Sequence, residues 1–182
     1  MGFAHMESKR TAAEGEWKKN GPMLPIEFSR VSSDRRLTLV IDETNGTNIT
    51  TRYALSSRTN VKDAVEDLRM REGTVQPWIG FVDLAKGTMN ATQSPITNRI
   101  WDWAKKAGID AAVWTVLTTN FEQKTGEWFC VERAIAYLKG LRGIDLERAL
   151  EYIRKAPEEV NTPLRRALHE CGLILIANSA LQ

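Results

Sequence analysis

The stretch from Asn60 to Thr74 constrains this chain most, because its pattern fits only one kind of element. Val61, Val65 and Leu68 recur at i, i+4 and i+7, which is one apolar face of an α-helix. Asn60 is a suitable N-cap, and Gly73 a suitable C-terminal stop. Extending the apolar face by four residues reaches Glu72, about 20° from Val61 around the helix axis. A carboxylate therefore stands where a core residue belongs. Burial and the negative end of a helix both disfavour an ionised carboxylate. A group in that position suits proton shuttling near neutral pH, so Glu72 is the candidate acid/base. The plain alternative is a frayed last residue that points to water.

The chain changes character around this helix. Before it come three strand-like runs: the alternating run 24–31, then 36–41, then the β-branched run 49–55. Asn45-Gly46 reads as a tight hairpin between the last two. A fourth run, 78–83, follows the helix and ends on Asp83, read as a solvated, loop-facing carboxylate. Beyond it, Ser94-Pro95 opens a helix that Gly108 ends, and 111–117 reads as a buried strand. A polar loop with aromatic edges (Phe121, Trp128, Phe129) leads to three helical segments carrying Leu138, Leu150 and Leu168. Run 173–177 is either a short last strand or a hydrophobic tail. Trp103 and Trp114 sit at core-like positions. The expected fold is α+β: a small, barrel-like, mostly antiparallel sheet with a helical C-terminal half. The expected division is a β-rich part at 1–85 and a helical extension at 92–182, packed on the same sheet through the strand at 111–117.

Composition removes several functions. With 182 residues, 42% of them apolar, the chain can bury a core without a metal or disulfides. Cys130 and Cys171 have no metal-site spacing and read as buried free thiols of a cytoplasmic protein. No apolar run approaches the ~18 residues of a membrane span, and no signal-peptide core opens the chain. The three Asn-x-Thr sequons, at Asn45, Asn48 and Asn90, are therefore expected to be chance matches, two of them turn sequence. The basic pairs near the N-terminus are offset by acidic residues, Glu27 among them, as on a mixed solvated surface rather than a nucleic-acid stripe. Of the two histidines, His169 falls on the polar side of its helix. No nucleophile elbow, Walker loop or dinucleotide fingerprint occurs. The expectation is a small-molecule substrate with no cofactor, no metal, no membrane and no nucleic acid; the oligomeric state stays open.

The order of elements resembles gamma-glutamylcyclotransferase-like proteins. The carriers are Leu68-Arg-Met-Arg-Glu72-Gly73 on a helix, the three strand-like runs before it, the strand 78–83 after it, and the first segment Gly2-Phe3-Ala4-His5-Met6. That first segment looks like a degraded form of the family's glycine-tyrosine loop, and the likeness spans roughly residues 1–83. Arg69 stands where the motif has Asp, and His5 where the loop has serine. A second resemblance is to uncharacterised bacterial proteins sharing the segments 22–30, 110–115 and 156–164; it implies no activity. The first resemblance implies that Glu72 is the acid/base and that Gly2, Phe3, Ala4, His5 and Met6 form the substrate-binding loop. It implies a cyclotransferase-type enzyme that releases 5-oxoproline from a gamma-glutamyl amide. The alternative is a non-catalytic ligand-binding or protein-interaction module on the same fold.

Overall fold

A computed structural model describes residues 3–6, 16–73, 76–90 and 94–174. It is α+β, as the sequence predicts, with eight strands and six helices among the described residues. The strands form two sheets, one five-stranded and one three-stranded. No closed barrel is found among the described residues. The compact units are not consecutive halves: one comprises residues 1–24 and 50–117, the other 25–49 and 118–182.

In the first unit the sheet order is β5(Ala54–Ser56), β1(Phe3–Met6), β8(Ala111–Thr115), β6(Ile79–Asp83), β7(Thr88–Met89). β1 runs parallel to β8, with Phe3 beside Ala111 and Met6 beside Trp114; the other pairings are antiparallel. The strand expected to join the sheet to the C-terminal helices is thus its central strand. Helix α1(Val61–Glu72) packs on β6 and β8. Val61, Ala64, Val65 and Leu68 close over Ile79, Ala111 and Val113, the apolar face read from the sequence. Both caps form as expected: the Asn60 side chain accepts the Asp63 N–H, and Gly73 takes a left-handed conformation at φ 58°. Helix α2(Pro95–Ala107) also packs on β6 and β8, with Ile96, Ile100 and Ala104 buried. Strand alternation turns Ala112 and Trp114 away from the α1 side. Gly80, opposite Trp114, makes room for the indole: a Cβ there would lie 2.5 Å from its ring.

In the second unit β2(Met23–Val31), whose first two residues belong to the other unit, lies between β3(Leu37–Ile41) and β4(Thr47–Thr50). Asn45-Gly46 therefore does not close a β3–β4 hairpin. The Asp42 carboxylate holds the turn instead, accepting the Thr44 and Asn45 N–H groups, each at 3.0 Å. The Asp42 N–H donates to the Pro25 carbonyl, and a Cβ on Gly46 would meet the Pro25–Ile26 backbone. The turn thus passes tightly over the start of β2 and delivers β4 to its far side. Run 49–55 is accordingly two strands in two sheets, β4 and β5. The core of this unit joins Phe28, Val31 and Leu37 to residues of α4(Val131–Gly140), α5(Gly143–Arg154) and α6(Pro163–Glu170). Leu138 and Leu168 are fully buried, whereas Leu150 packs at the rim of this core. The loop after residue 117 contains a short helix, α3(Phe121–Thr125), pinned by buried Phe121. Residues 175–177 of the proposed last run lie outside the described residues.

Candidate functional site

Glu72 is the last residue of α1, and its side chain is 14% exposed. It is neither frayed nor open to water. Its Oε1 lies 3.7 Å from Arg71 Nε, an ion pair longer than a direct hydrogen bond. A link of six residues, 73–78, carries the chain from Glu72 into Ile79, the first residue of β6. Ile79 pairs with Thr115 at the carboxyl end of β8, beside which β1 ends at Met6. The link from Glu72 thus enters β6 at the end of the sheet where the two parallel strands terminate. Open α/β sheets hold ligands outside the carboxyl ends of parallel strands, because strand backbones stop there and loops take over.

The expected binding segment has another local structure. Phe3, Ala4, His5 and Met6 form β1, an interior strand paired with β5 on one side and β8 on the other. Ladder pairing commits their backbone groups, so this segment is a strand rather than a substrate-cradling loop. Gly2, and the side chains of residues 3–6, lie outside the described residues.

Two buried carboxylates with shifted pKa values, Glu27 and Asp42, lie in the second unit. Glu27, counted from the sequence among surface charges, is fully buried. The register between β2 and β3 shifts between Glu27 and Arg30, and Glu27, Phe28 and Ser29 are buried in succession. Glu27 Oε1 accepts the Phe28 N–H at 2.8 Å, and Oε2 accepts the Leu164 N–H at 3.3 Å. Thr162, the N-cap of α6, adds a side-chain hydrogen bond. Burial pushes the Glu27 carboxyl above its usual range; these three bonds offset part of that, and the charge of Asp42 adds to it. Asp42 goes the other way. Burial raises it, but the Ser29 hydroxyl at 2.6 Å, with Asn45 and Thr44, holds it below its usual range. Glu27, Ser29 and Thr162 have no exposed surface and Asp42 almost none, so this cluster ties secondary structure together rather than meeting a substrate. The sequence offered one signal for it: Glu27 breaks the apolar run Leu24–Phe28.

Other residues singled out from the sequence lie as follows. Asp83 is buried rather than solvated; it accepts the Lys86 N–H at 3.1 Å and caps the turn after β6. Trp114 is buried, whereas Trp103 is half-buried, its indole N–H donating to the Asn20 carbonyl at 2.8 Å. Cys130 is half-buried and Cys171 exposed at the end of α6, so neither is a core thiol; both are free. His169 is exposed. The Asn90 side chain spans Phe81 N–H and the Ile79 carbonyl, each at 2.7 Å, so that sequon position continues the β6–β7 pairing. Among the described residues no cluster of three His, Cys, Asp or Glu is arranged to hold a metal ion. None of the described helices is long and apolar enough to cross a membrane. No protein-family model, curated protein or solved structure matches this chain.

Proposed function

We propose that the chain acts on a gamma-glutamyl or related amide, with Glu72 as general acid/base. One observation carries the reading: Glu72 is largely shielded from water at the end of α1, the helix that covers β6 and β8. In the proposed reaction the Glu72 carboxylate takes a proton from the substrate's α-ammonium group. The freed amine attacks the γ-carbonyl carbon, forms the five-membered ring and loses its second proton to solvent, leaving the single lactam N–H. The bond to the leaving amine then breaks as Glu72 returns the proton to that nitrogen. The products are 5-oxoproline and a free amine, and no redox partner is needed. The reading takes the protein as cytoplasmic, which two unbridged cysteines suit.

One observation favours a second reading, a non-catalytic ligand-binding or interaction module. The backbone of Phe3–Met6 is committed to the sheet, so it does not offer the free amides that the resemblance requires of a glutamyl-binding loop. Assaying 5-oxoproline release from a panel of gamma-glutamyl amides separates the two. The enzyme reading expects turnover by the parent protein and a fall of ~10²–10⁴ in kcat for Glu72→Gln, with KM little changed. Equal kcat in both proteins would remove Glu72 from the mechanism. No turnover by the parent on any amide would leave the module.

A further inference from the structure

We propose that Asn45-Gly46 is a deamidation site that Asp42 holds closed, so that Asn45 converts to aspartate or isoaspartate only when the turn after β3 opens. The site lies wholly within the second unit and is independent of the reaction proposed for Glu72. Asn followed by Gly is the dipeptide most prone to this chemistry, because glycine has no Cβ to crowd its own nitrogen. In the reaction the Gly46 nitrogen loses its proton to solvent and attacks the Asn45 Cγ. A five-membered imide forms, and the Cγ–Nδ2 bond breaks as that nitrogen takes up a proton and leaves as ammonia. Water then adds to either imide carbonyl and opens the ring. One opening leaves aspartate; the other leaves isoaspartate, with one more methylene in the main chain. Water is the sole co-reactant, and both residues are half-buried, within its reach.

Asp42 fastens both reacting groups. Its carbonyl accepts the Gly46 N–H at 2.8 Å, so the proton that must leave is held. Its carboxylate accepts from Asn45 Nδ2 at 3.1 Å on Oδ2 and 3.3 Å on Oδ1, which fixes the amide under attack. The Thr44 and Asn45 backbone N–H groups add bonds to Oδ1 at 3.0 Å each. The carboxylate is itself buried and anchored by the Ser29 hydroxyl at 2.6 Å. Attack would place negative charge on the Gly46 nitrogen and then on the Asn45 side-chain oxygen. Both would develop beside an ionised acid, and like charges at close range in a poorly hydrated place repel strongly.

Packing closes the site a second time. A Cβ on Gly46 would lie 2.4 Å from the Asp42 carbonyl oxygen, 2.6 Å from the Pro25 carbonyl carbon and 2.8 Å from the Ile26 nitrogen. Closing an imide ring rotates the backbone at this point, and the start of β2 leaves no room for that. An isoaspartyl link would also lengthen the chain between Asp42 and β4, so the turn would not refit over Pro25 and a passing opening would become permanent. The other Asn-Gly pair, Asn20-Gly21 in the first unit, is the internal comparison. The Gly21 N–H is bonded too, to the Thr51 carbonyl at 2.8 Å. Asn20, however, is exposed.

The test is peptide mass spectrometry of the full-length protein held at mildly alkaline pH, folded and in urea, reading aspartate plus isoaspartate at Asn45 and at Asn20. In urea the two Asn-Gly pairs should convert at similar rates. In the folded protein Asn45 should convert at least about tenfold more slowly than in urea, because reaction waits for local opening. Asp42→Ala should speed Asn45 in the folded protein roughly ten- to a hundredfold, the factor that one hydrogen bond to a charged group is worth, and leave Asn20 at its parental rate. An Asn45 that converts as fast in the folded parent as in urea overturns the proposal. So does an Asn45 rate unchanged by Asp42→Ala. If that variant brings both sites to their urea rates, it has unfolded, and Asp42→Asn, which keeps the shape and removes the charge, decides. Faster conversion of Asn45 with Asn20 steady supports the proposal, and an unchanged Asn45 overturns it.

Discussion

Removal of Arg165 should be the most damaging single change in the second unit outside the apolar core. Its side chain is almost entirely buried, yet its partners are four backbone carbonyls. Nη1 donates to Pro157 at 2.6 Å and Val160 at 3.0 Å; Nη2 donates to Arg154 at 3.0 Å and Ala156 at 2.9 Å. These carbonyls belong to the end of α5 and the segment leading to α6, so one guanidinium shapes the whole connection. It also places a cation at the negative end of α5. Hydrogen bonds from a charged donor contribute ~1.5–3 kcal/mol each, giving a ceiling of roughly 6–12 kcal/mol for four. The cost of burying the cation and the access of water to partly exposed carbonyls lower that figure. A buried carbonyl left without a donor costs about 1–3 kcal/mol, so with four of them, partly reached by water, roughly 3–5 kcal/mol is the expected loss for Arg165→Met. Against a total stability of ~5–15 kcal/mol, the loss would show plainly in a urea midpoint followed by helical circular dichroism. Arg165→Lys separates charge from shape. An ammonium has three donors on one nitrogen and lacks the planar fork, so it should recover only part of the loss. A Met variant within about 0.5 kcal/mol of the parent, the range of an ordinary surface change, would refute the reasoning. Full recovery by Lys would refute the part played by the fork.

Other outcomes follow from the same contacts. Leu168→Ala should cost ~2–5 kcal/mol in denaturant, whereas Leu150→Ala, at the rim of the core, should cost distinctly less; equal losses would contradict the packing. Gly80→Val should destabilise the first unit because its side chain would strike the Trp114 indole, and buried-tryptophan fluorescence should shift; an unshifted spectrum at parental stability would refute the close approach. Asp42 is held below its usual range, so its contribution is present above the unfolded pKa, ordinarily 3.8, and is lost as pH falls through the lower folded value. Asp42→Asn should therefore weaken the protein at neutral pH and make its acid unfolding less steep. An identical acid limb in the two proteins would count against that. Asn60→Ala should cost about 1 kcal/mol through loss of the α1 cap, and a change in the melting temperature would measure it.

The sequence by itself determined the elements whose signal is local. Helix α1 carries its apolar period, its Asn60 cap and its Gly73 stop within one short stretch, and α2 carries Ser94, Pro95 and Gly108. Local backbone preference and side-chain period suffice there, and they also put Glu72 on the covered face of α1. What the tertiary structure alone decided is which strands meet. Asn45-Gly46 has a hairpin's chemistry, but Asp42 and the backbone at Pro25 turn the chain across β2. Phe3–Met6 is too short to declare itself a strand; β5 and β8, distant in sequence, make it one. Glu27 looked like one more surface charge, because nothing within several residues of it encodes the cover that Thr162 and Leu164 supply. Turn residues and periodicity act over a few positions. Burial and strand partnership are settled by segments far apart in the chain, and that part of this protein became visible only once the chain was folded.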